Sequence, residues 1–347
     1  MTETALTATL ARRNTGRPPV WFMRQAGRYH AHYQSLKRYA DFITLCKDPK
    51  LATEVAMGPV HEFNFDAAIL FSDLLFPLEA MGMGLTYDPG PKLAFHLKTP
   101  ADLARLTGGA DKAEFMRFQA EAMAMTRKRL RADKGLIGFV GGPFTLYVYA
   151  AAGSHENAQQ ALPGLANGLY AGFNEKLLDL LAHNMALQSK SGAEVIAVMD
   201  TAAGEIDADT YGQHVVPVLK DLLARFRKLD PTTPVLYYSR GTGPAHWDQL
   251  AGLSIQALGI DWRHDLVDVL ERYGDRYAIQ GNVDPEWLLT LPADELETRL
   301  RAFFTRVKAL PAEKRRGWIC GLGHGVLQKT PEANVLLFLR IQHEMFA

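Results

Sequence analysis

The feature that most constrains the fold is an alternation running the length of the chain, in which short β-type runs are separated by long amphipathic segments. Eight candidate strands fall in order at Val20–Met23, Ala67–Phe71, Leu136–Val140, Glu194–Met199, Val235–Tyr238, Ala257–Ile260, Tyr277–Gln280 and Trp318–Cys320. Most are bracketed by Gly, Pro or Asp, which mark turns. Several are apolar without alternation, the pattern of strands buried on both faces of a parallel sheet. Between them the spacing predicts helices. Asp48-Pro49 reads as an N-cap followed by proline at the first helical position, with Leu51, Val55 and Phe63 at roughly helical spacing after it. Further helices are expected over about Ala113–Arg131, Leu165–Ser191, Asp207–Lys228, Pro244–Leu253, Asp265–Tyr273, Pro285–Leu310 and Pro331–Phe346.

Eight strand–helix repeats predict an α/β fold of the single-domain (β/α)8 TIM-barrel type. A doubly wound open sheet is the alternative, but its Gly-x-Gly-x-x-Gly turn is missing from the first 100 residues. No linker or low-complexity tract divides the 347 residues, so residues 1–15 are expected as a loosely held N-terminal arm and 16–347 as the barrel. Lys+Arg and Asp+Glu number 38 each, a net charge of zero, which removes the usual electrostatic footprint of a nucleic-acid binder. Cys46 and Cys320 are too few for a disulfide framework or a four-thiolate metal site, and point to a reducing compartment. The start of the chain is not a secretory signal. The most apolar stretch, Phe139–Gly153, is interrupted by Gly141, Gly142, Pro143 and Thr145 and is too short to span a membrane. A soluble, cytoplasmic protein without membrane attachment is expected.

Active sites of such barrels lie at the C-terminal ends of the strands. After the first expected strand comes Met23-Arg24-Gln25-Ala26-Gly27-Arg28-Tyr29, where two guanidinium groups and backbone N–H groups can converge on an anion. After the second comes Ser72-Asp73, a carboxylate inside an apolar run that must be paired, neutralised or turned to a cavity. After the third, Tyr147 and Tyr149 project differently, so at most one points inward. After the fourth, Thr201 offers a hydroxyl, and Asp200 reads equally as a turn residue. After the eighth, His324 sits among Gly321, Gly323 and Gly325, where imidazole can act as acid, base or anion ligand. No phosphate loop, His-Glu-x-x-His pair or Gly-x-Ser-x-Gly elbow occurs. The residues therefore point to a barrel enzyme that binds a small polyanion and works by proton transfer and electrostatics.

The segments Pro19–Tyr29, Ile69–Asp73, Gly138–Leu146, Gly259–Trp262, Gln280–Pro285 and Gly321–Gly325 resemble the uroporphyrinogen decarboxylase family, in family order. The resemblance implies a homodimeric barrel, needing no metal or organic cofactor, that decarboxylates the four acetate side chains of uroporphyrinogen III to give coproporphyrinogen III in porphyrin and heme biosynthesis. It implies that Arg24 and Arg28 bind substrate carboxylates, with Gln25, Ala26 and Gly27 in the same loop. Asp73 would face the pyrrole N–H groups, and Tyr149, Thr201 and His324 would complete the cleft, with Tyr149 preferred over Tyr147. Catalysis is expected from Asp73, Arg24, Arg28 and His324. The proton donor stays open between His324, an arginine and water relayed through Tyr149. Two rivals are a zinc-dependent corrinoid methyltransferase on the same barrel, which needs a His-x-Cys type pair plus a second thiolate, an arrangement that Cys320 lacks while Cys46 sits in a helix-entry region, and a tetrapyrrole carrier without turnover.

Overall fold

The run Val195–Met199 has no polar residue on either face, and all five side chains are buried in a strand. The strands are β1 (Ala67–Ile69), β4 (Gly135–Gly141), β5 (Val195–Met199), β6 (Val235–Tyr238), β7 (Ala257–Gly259), β8 (Ala278–Val283) and β9 (Trp318–Leu322), with a separate hairpin of β2 (Leu85–Tyr87) and β3 (Pro91–Leu93). The structure, a computed structural model, describes residues 3–87 and 90–347; Met1 and Thr2 of the expected arm lie outside the described residues. The larger sheet has the order β1-β4-β5-β6-β7-β8-β9. The chain divides into two compact units, Met1–Phe71 with Met125–Ile137 and Ile255–Ala347, and Ser72–Ala124 with Gly138–Ser254.

In the first unit β1 pairs in parallel with the start of β4, β7 with β8, and β8 with β9. The expected strand Val20–Met23 is reduced to a single parallel bridge between Val20 and Cys320. On the other side, Asp66 N–H donates to Val20 C=O at 3.0 Å, so this segment still lies between β9 and the entry to β1. It fails to form a regular ladder because Pro18 and Pro19 bring no N–H, and because Val20 N–H is taken at 2.7 Å by the Asp66 side chain rather than by a carbonyl. Asp66 also receives a two-pronged hydrogen bond from Arg17, at 2.7 and 2.9 Å. The first segment, expected as a loose arm, contains a helix at Ala5–Leu10 that is capped by Thr4 and buries Leu6 and Leu10. Phe22 packs edge-on against Phe65 and Phe338, and Phe338 edge-on against Phe304, whose ring lies tilted against Trp318.

In the second unit β5 pairs with β6 from Ile196–Val235 to Met199–Tyr238. The helix Leu169–Lys190 buries a stripe that includes Leu177, Leu181, Asn184 and Gln188. The expected helix Asp207–Lys228 forms, from its Asp207 N-cap through to Leu229, with a π turn at Tyr211–Val215 inside it. Pro217 explains the π turn, since it has no N–H to continue the regular ladder. In the first unit, Pro285–Leu310 splits into Pro285–Thr290 and Ala293–Ala309, because Pro292 drives Leu291 out of the helical region. Among the described residues no helix is long and apolar enough to cross a membrane.

Candidate active site

In the first unit the arginine loop is built around a side chain that never reaches solvent. Gln25 is fully buried: its Oε1 accepts Phe22 N–H at 3.1 Å and its Nε2 donates to Ala67 C=O at 2.8 Å. The amide thus substitutes for strand partners and ties the loop to β1. Its side chain is committed to backbone, so what Gln25 adds to the site is loop geometry. Tyr29 O–H donates to Gln25 C=O at 2.8 Å and closes the loop from the other side. On this frame Arg24 and Arg28 are exposed, Ala26 is buried and Gly27 is half-buried. Neither arginine makes an ion pair among the described residues, and the backbone N–H groups of Ala26 and Gly27 have no carbonyl acceptor there. Such a loop presents positive charge and N–H dipoles to an anion.

Arg24 has φ +61°, a left-handed conformation that costs a non-glycine residue roughly 1–2 kcal/mol. Met23 C=O accepts Val326 N–H at 2.9 Å, which fastens this turn to the loop after β9. A Cβ placed on Gly325 would stand 2.5 Å from Arg24 Cδ, so the arginine stem lies directly on that glycine. His324, one residue earlier, is half-buried, with its ring centroid 6.3 Å from that of Trp262. A Cβ on Gly323 would meet Trp262 N at 2.4 Å, so the Gly-His-Gly sequence is needed for two close backbone approaches on either side of the imidazole. The structure therefore brings Arg24 and His324 together. Arg263 is engaged elsewhere, donating to the buried Asp261 at 3.0 and 2.6 Å.

In the second unit Asp73 lies in the loop leading to Phe76–Ala80. It is half-buried, and its Oδ1 accepts Leu75 N–H at 2.8 Å, which fixes the carboxylate against its own turn. Tyr147 is fully buried and donates to Ala161 C=O at 2.8 Å, whereas Tyr149 is half-buried with its hydroxyl 3.2 Å from His155 Nδ1. Thr201 is half-buried in the turn after β5. Asp200, which the sequence offers as a turn residue, is instead fully buried. It accepts Thr145 N–H at 3.0 Å, Thr145 O–H at 2.6 Å and Tyr237 O–H at 2.9 Å. Burial pushes its carboxyl above the usual range, while the Thr145 and Tyr237 bonds pull it back. Thr145 Oγ1 in turn accepts Ala202 N–H at 3.0 Å, so this buried carboxylate braces the turn that carries Thr201. Sequence reasoning missed that role, as it missed Gln119, Asn184 and Gln188, which hold Ser72. The available signal was a pair of amides four residues apart on the mostly apolar buried stripe of the helix Leu169–Lys190.

Among the described residues no three His, Cys, Asp or Glu side chains stand together as metal ligands, and burial holds the Cys320 thiol far above its ordinary pKa. The profile of the uroporphyrinogen decarboxylase (URO-D) family matches residues 1–345. A uroporphyrinogen decarboxylase of Syntrophotalea carbinolica is 35% identical, covering 95% of this chain and 94% of its own length. One of Roseiflexus sp. is 32% identical and covers 100% of both chains. A solved methyltransferase structure from Methanosarcina mazei superposes with a TM-score of 0.79 over 99% of this chain and 98% of its own, at 18% identity, which shows a shared fold. The match along nearly the whole length places this chain in the uroporphyrinogen decarboxylase family.

Proposed function

We propose that this protein decarboxylates the four acetate side chains of uroporphyrinogen III, giving coproporphyrinogen III. The observation that carries the reading is the pair of exposed guanidinium groups at Arg24 and Arg28, without a carboxylate partner among the described residues, in a chain that matches the family throughout. In this account they grip the acidic arms of the substrate, with the backbone of Ala26 and Gly27 behind them. Gln25 keeps the loop in shape. Tyr149 and Thr201 add polar contacts. The family resemblance extends the proposal to a homodimer working in the cytoplasm.

An acetate on a pyrrole loses CO2 only if the electron pair of the breaking C–C bond has somewhere to go. Protonation of the adjacent ring carbon makes a cationic ring that takes it. CO2 departs, the exocyclic carbon is then protonated to a methyl group, and the proton on the ring carbon leaves. The net change for each arm is one carboxylate and one proton converted to CO2 and a methyl group. Asp73, a carboxyl group pinned through Oδ1 to Leu75, suits acceptance of pyrrole N–H groups and stabilisation of the ring cation. We assign proton delivery to His324. Asp73→Asn is expected to lower turnover by about 10²–10³-fold, the scale of one preorganised electrostatic contact. Near-normal turnover of that variant contradicts the assignment of Asp73. A His324→Asn enzyme with an unchanged rate and pH profile removes His324 as the acid.

A further inference from the structure

A chain of three buried side-chain amides in the second unit has a fixed hydrogen-bond direction, and it ends on Ser72. It begins at Phe139, whose N–H donates to Gln188 Oε1 at 2.8 Å and whose C=O accepts Gln188 Nε2 at 2.9 Å. A main-chain N–H can only donate and a carbonyl can only accept, so the two ends of the Gln188 amide are settled. The approach is close: a Cβ on Gly138 would lie 2.6 Å from Gln188 Oε1. Gln188 Nε2 has two N–H groups: one goes to Phe139 C=O and the other to Asn184 Oδ1, so its 3.2 Å approach to Gln119 Oε1 has no proton of its own. Asn184 Nδ2 donates to the same Gln119 oxygen at 2.8 Å. Because Asn184 Oδ1 is the acceptor end of that amide, its Nδ2 is the donor and the atom it reaches is the oxygen end of Gln119, which leaves Gln119 Nε2 to donate to Ser72 Oγ at 2.8 Å. Gln119, Asn184 and Gln188 are 4%, 1% and 0% exposed, so no solvent competes for these bonds.

Ser72 is therefore held as an acceptor by the protein interior. Its own hydroxyl proton has to point away from Gln119, and it has no acceptor among the described residues. Ser72 is only half-buried and precedes Asp73 directly. A hydroxyl that is anchored as acceptor on one side and open as donor on the other suits an anionic oxygen. We propose that Ser72 is a further substrate-binding residue, whose O–H, aimed by the Gln119 chain, donates to a carboxylate oxygen of an acetate arm. The inference rests on the reading of the Asp73 loop as part of the site.

The test uses Ser72→Ala, Ser72→Thr and Gln119→Glu in the full-length enzyme, with kcat/KM for uroporphyrinogen and thermal midpoints measured together. A glutamate carboxylate cannot donate, so it accepts from Ser72 and turns the hydroxyl inward. Ser72→Ala and Gln119→Glu are each expected to lose roughly 10- to 100-fold in kcat/KM, the scale of a hydrogen bond to a charged group. The double variant is expected to lose no more than the worse single one, and Ser72→Thr to restore most of what Ser72→Ala loses. The proposal is overturned if Ser72→Ala stays within twofold of the parent, or if the two losses multiply. A merely structural role predicts lower thermal midpoints with unchanged kinetics of the folded fraction. If Gln119→Glu does not fold, the Ser72 pair decides alone. Asp73→Asn run alongside separates the failures: an active Asp73→Asn enzyme defeats the reading of the loop, whereas an inactive one beside an active Ser72→Ala defeats only Ser72.

Discussion

Adding one methyl group at Gly325 tests how the protein places Arg24. The new Cβ would lie 2.5 Å from Arg24 Cδ, 2.9 Å from Cγ and 3.1 Å from Nε. Carbon atoms in contact sit about 3.5–4.0 Å apart, so the stem has to retreat by about 1 Å or more. The backbone of Arg24 is already in the left-handed region and is held on both flanks by Gln25 and by the Met23–Val326 hydrogen bond. The side chain therefore gives way rather than the turn. Its head is exposed, so the move costs the fold little, within about 0.5 kcal/mol for a surface change. What is lost is the guanidinium contact to substrate, worth about 1.5–3 kcal/mol for a charge-assisted bond. Gly325→Ala is expected to raise KM for uroporphyrinogen by roughly 10- to 150-fold with kcat nearly unchanged, since a carboxylate grip is felt by substrate and transition state alike. Steady-state assays of product carboxyl number, paired with a thermal melt, read both quantities. An unchanged KM refutes the placement of Arg24. A large fall in melting temperature refutes the claim that the side chain absorbs the strain.

Two further expectations follow from buried groups. Gln25→Leu strands the Phe22 N–H and the Ala67 C=O, each costing about 1–3 kcal/mol, so a clear drop in denaturation midpoint is expected; a midpoint unchanged from the parent contradicts the role of Gln25 as a loop anchor. Burial pushes the Tyr147 phenol up to about 12 from 10.0. Its contribution is thus fully present below about pH 10 and is lost as the pH rises toward about 12, because the unfolded chain gives up that proton first. Tyr147→Phe is expected to make stability fall less steeply across that window in alkaline denaturation; an identical slope contradicts it.

The parts of the fold legible in advance are those in which local chemistry and tertiary burial agree. Glu194–Met199, observed as Val195–Met199, and Val235–Tyr238 are runs that became central strands, and Asp48 became the N-cap expected of it, accepting Lys50 N–H. The misread parts are settled by partners distant in sequence. Val20–Met23 has strand composition, yet the Asp66 carboxylate claims its ladder hydrogen bond from 46 residues away. The site shows the same division. Arg24, Arg28, Asp73 and His324 stand out because charged groups among glycines or apolar residues need a reason. The Asp200 cluster and the Gln119–Asn184–Gln188 chain look like ordinary polar residues until the helices bring them together. Of the two tyrosines, Tyr147 is fully buried and spent on Ala161, and Tyr149 is half-buried with its hydroxyl beside His155.

The most direct measurement is incubation of the purified protein with uroporphyrinogen III under reducing conditions, counting CO2 released and carboxyl groups remaining. The account predicts four equivalents of CO2 for each macrocycle and a product with four carboxylates. Tight binding of the macrocycle without release of CO2 contradicts it.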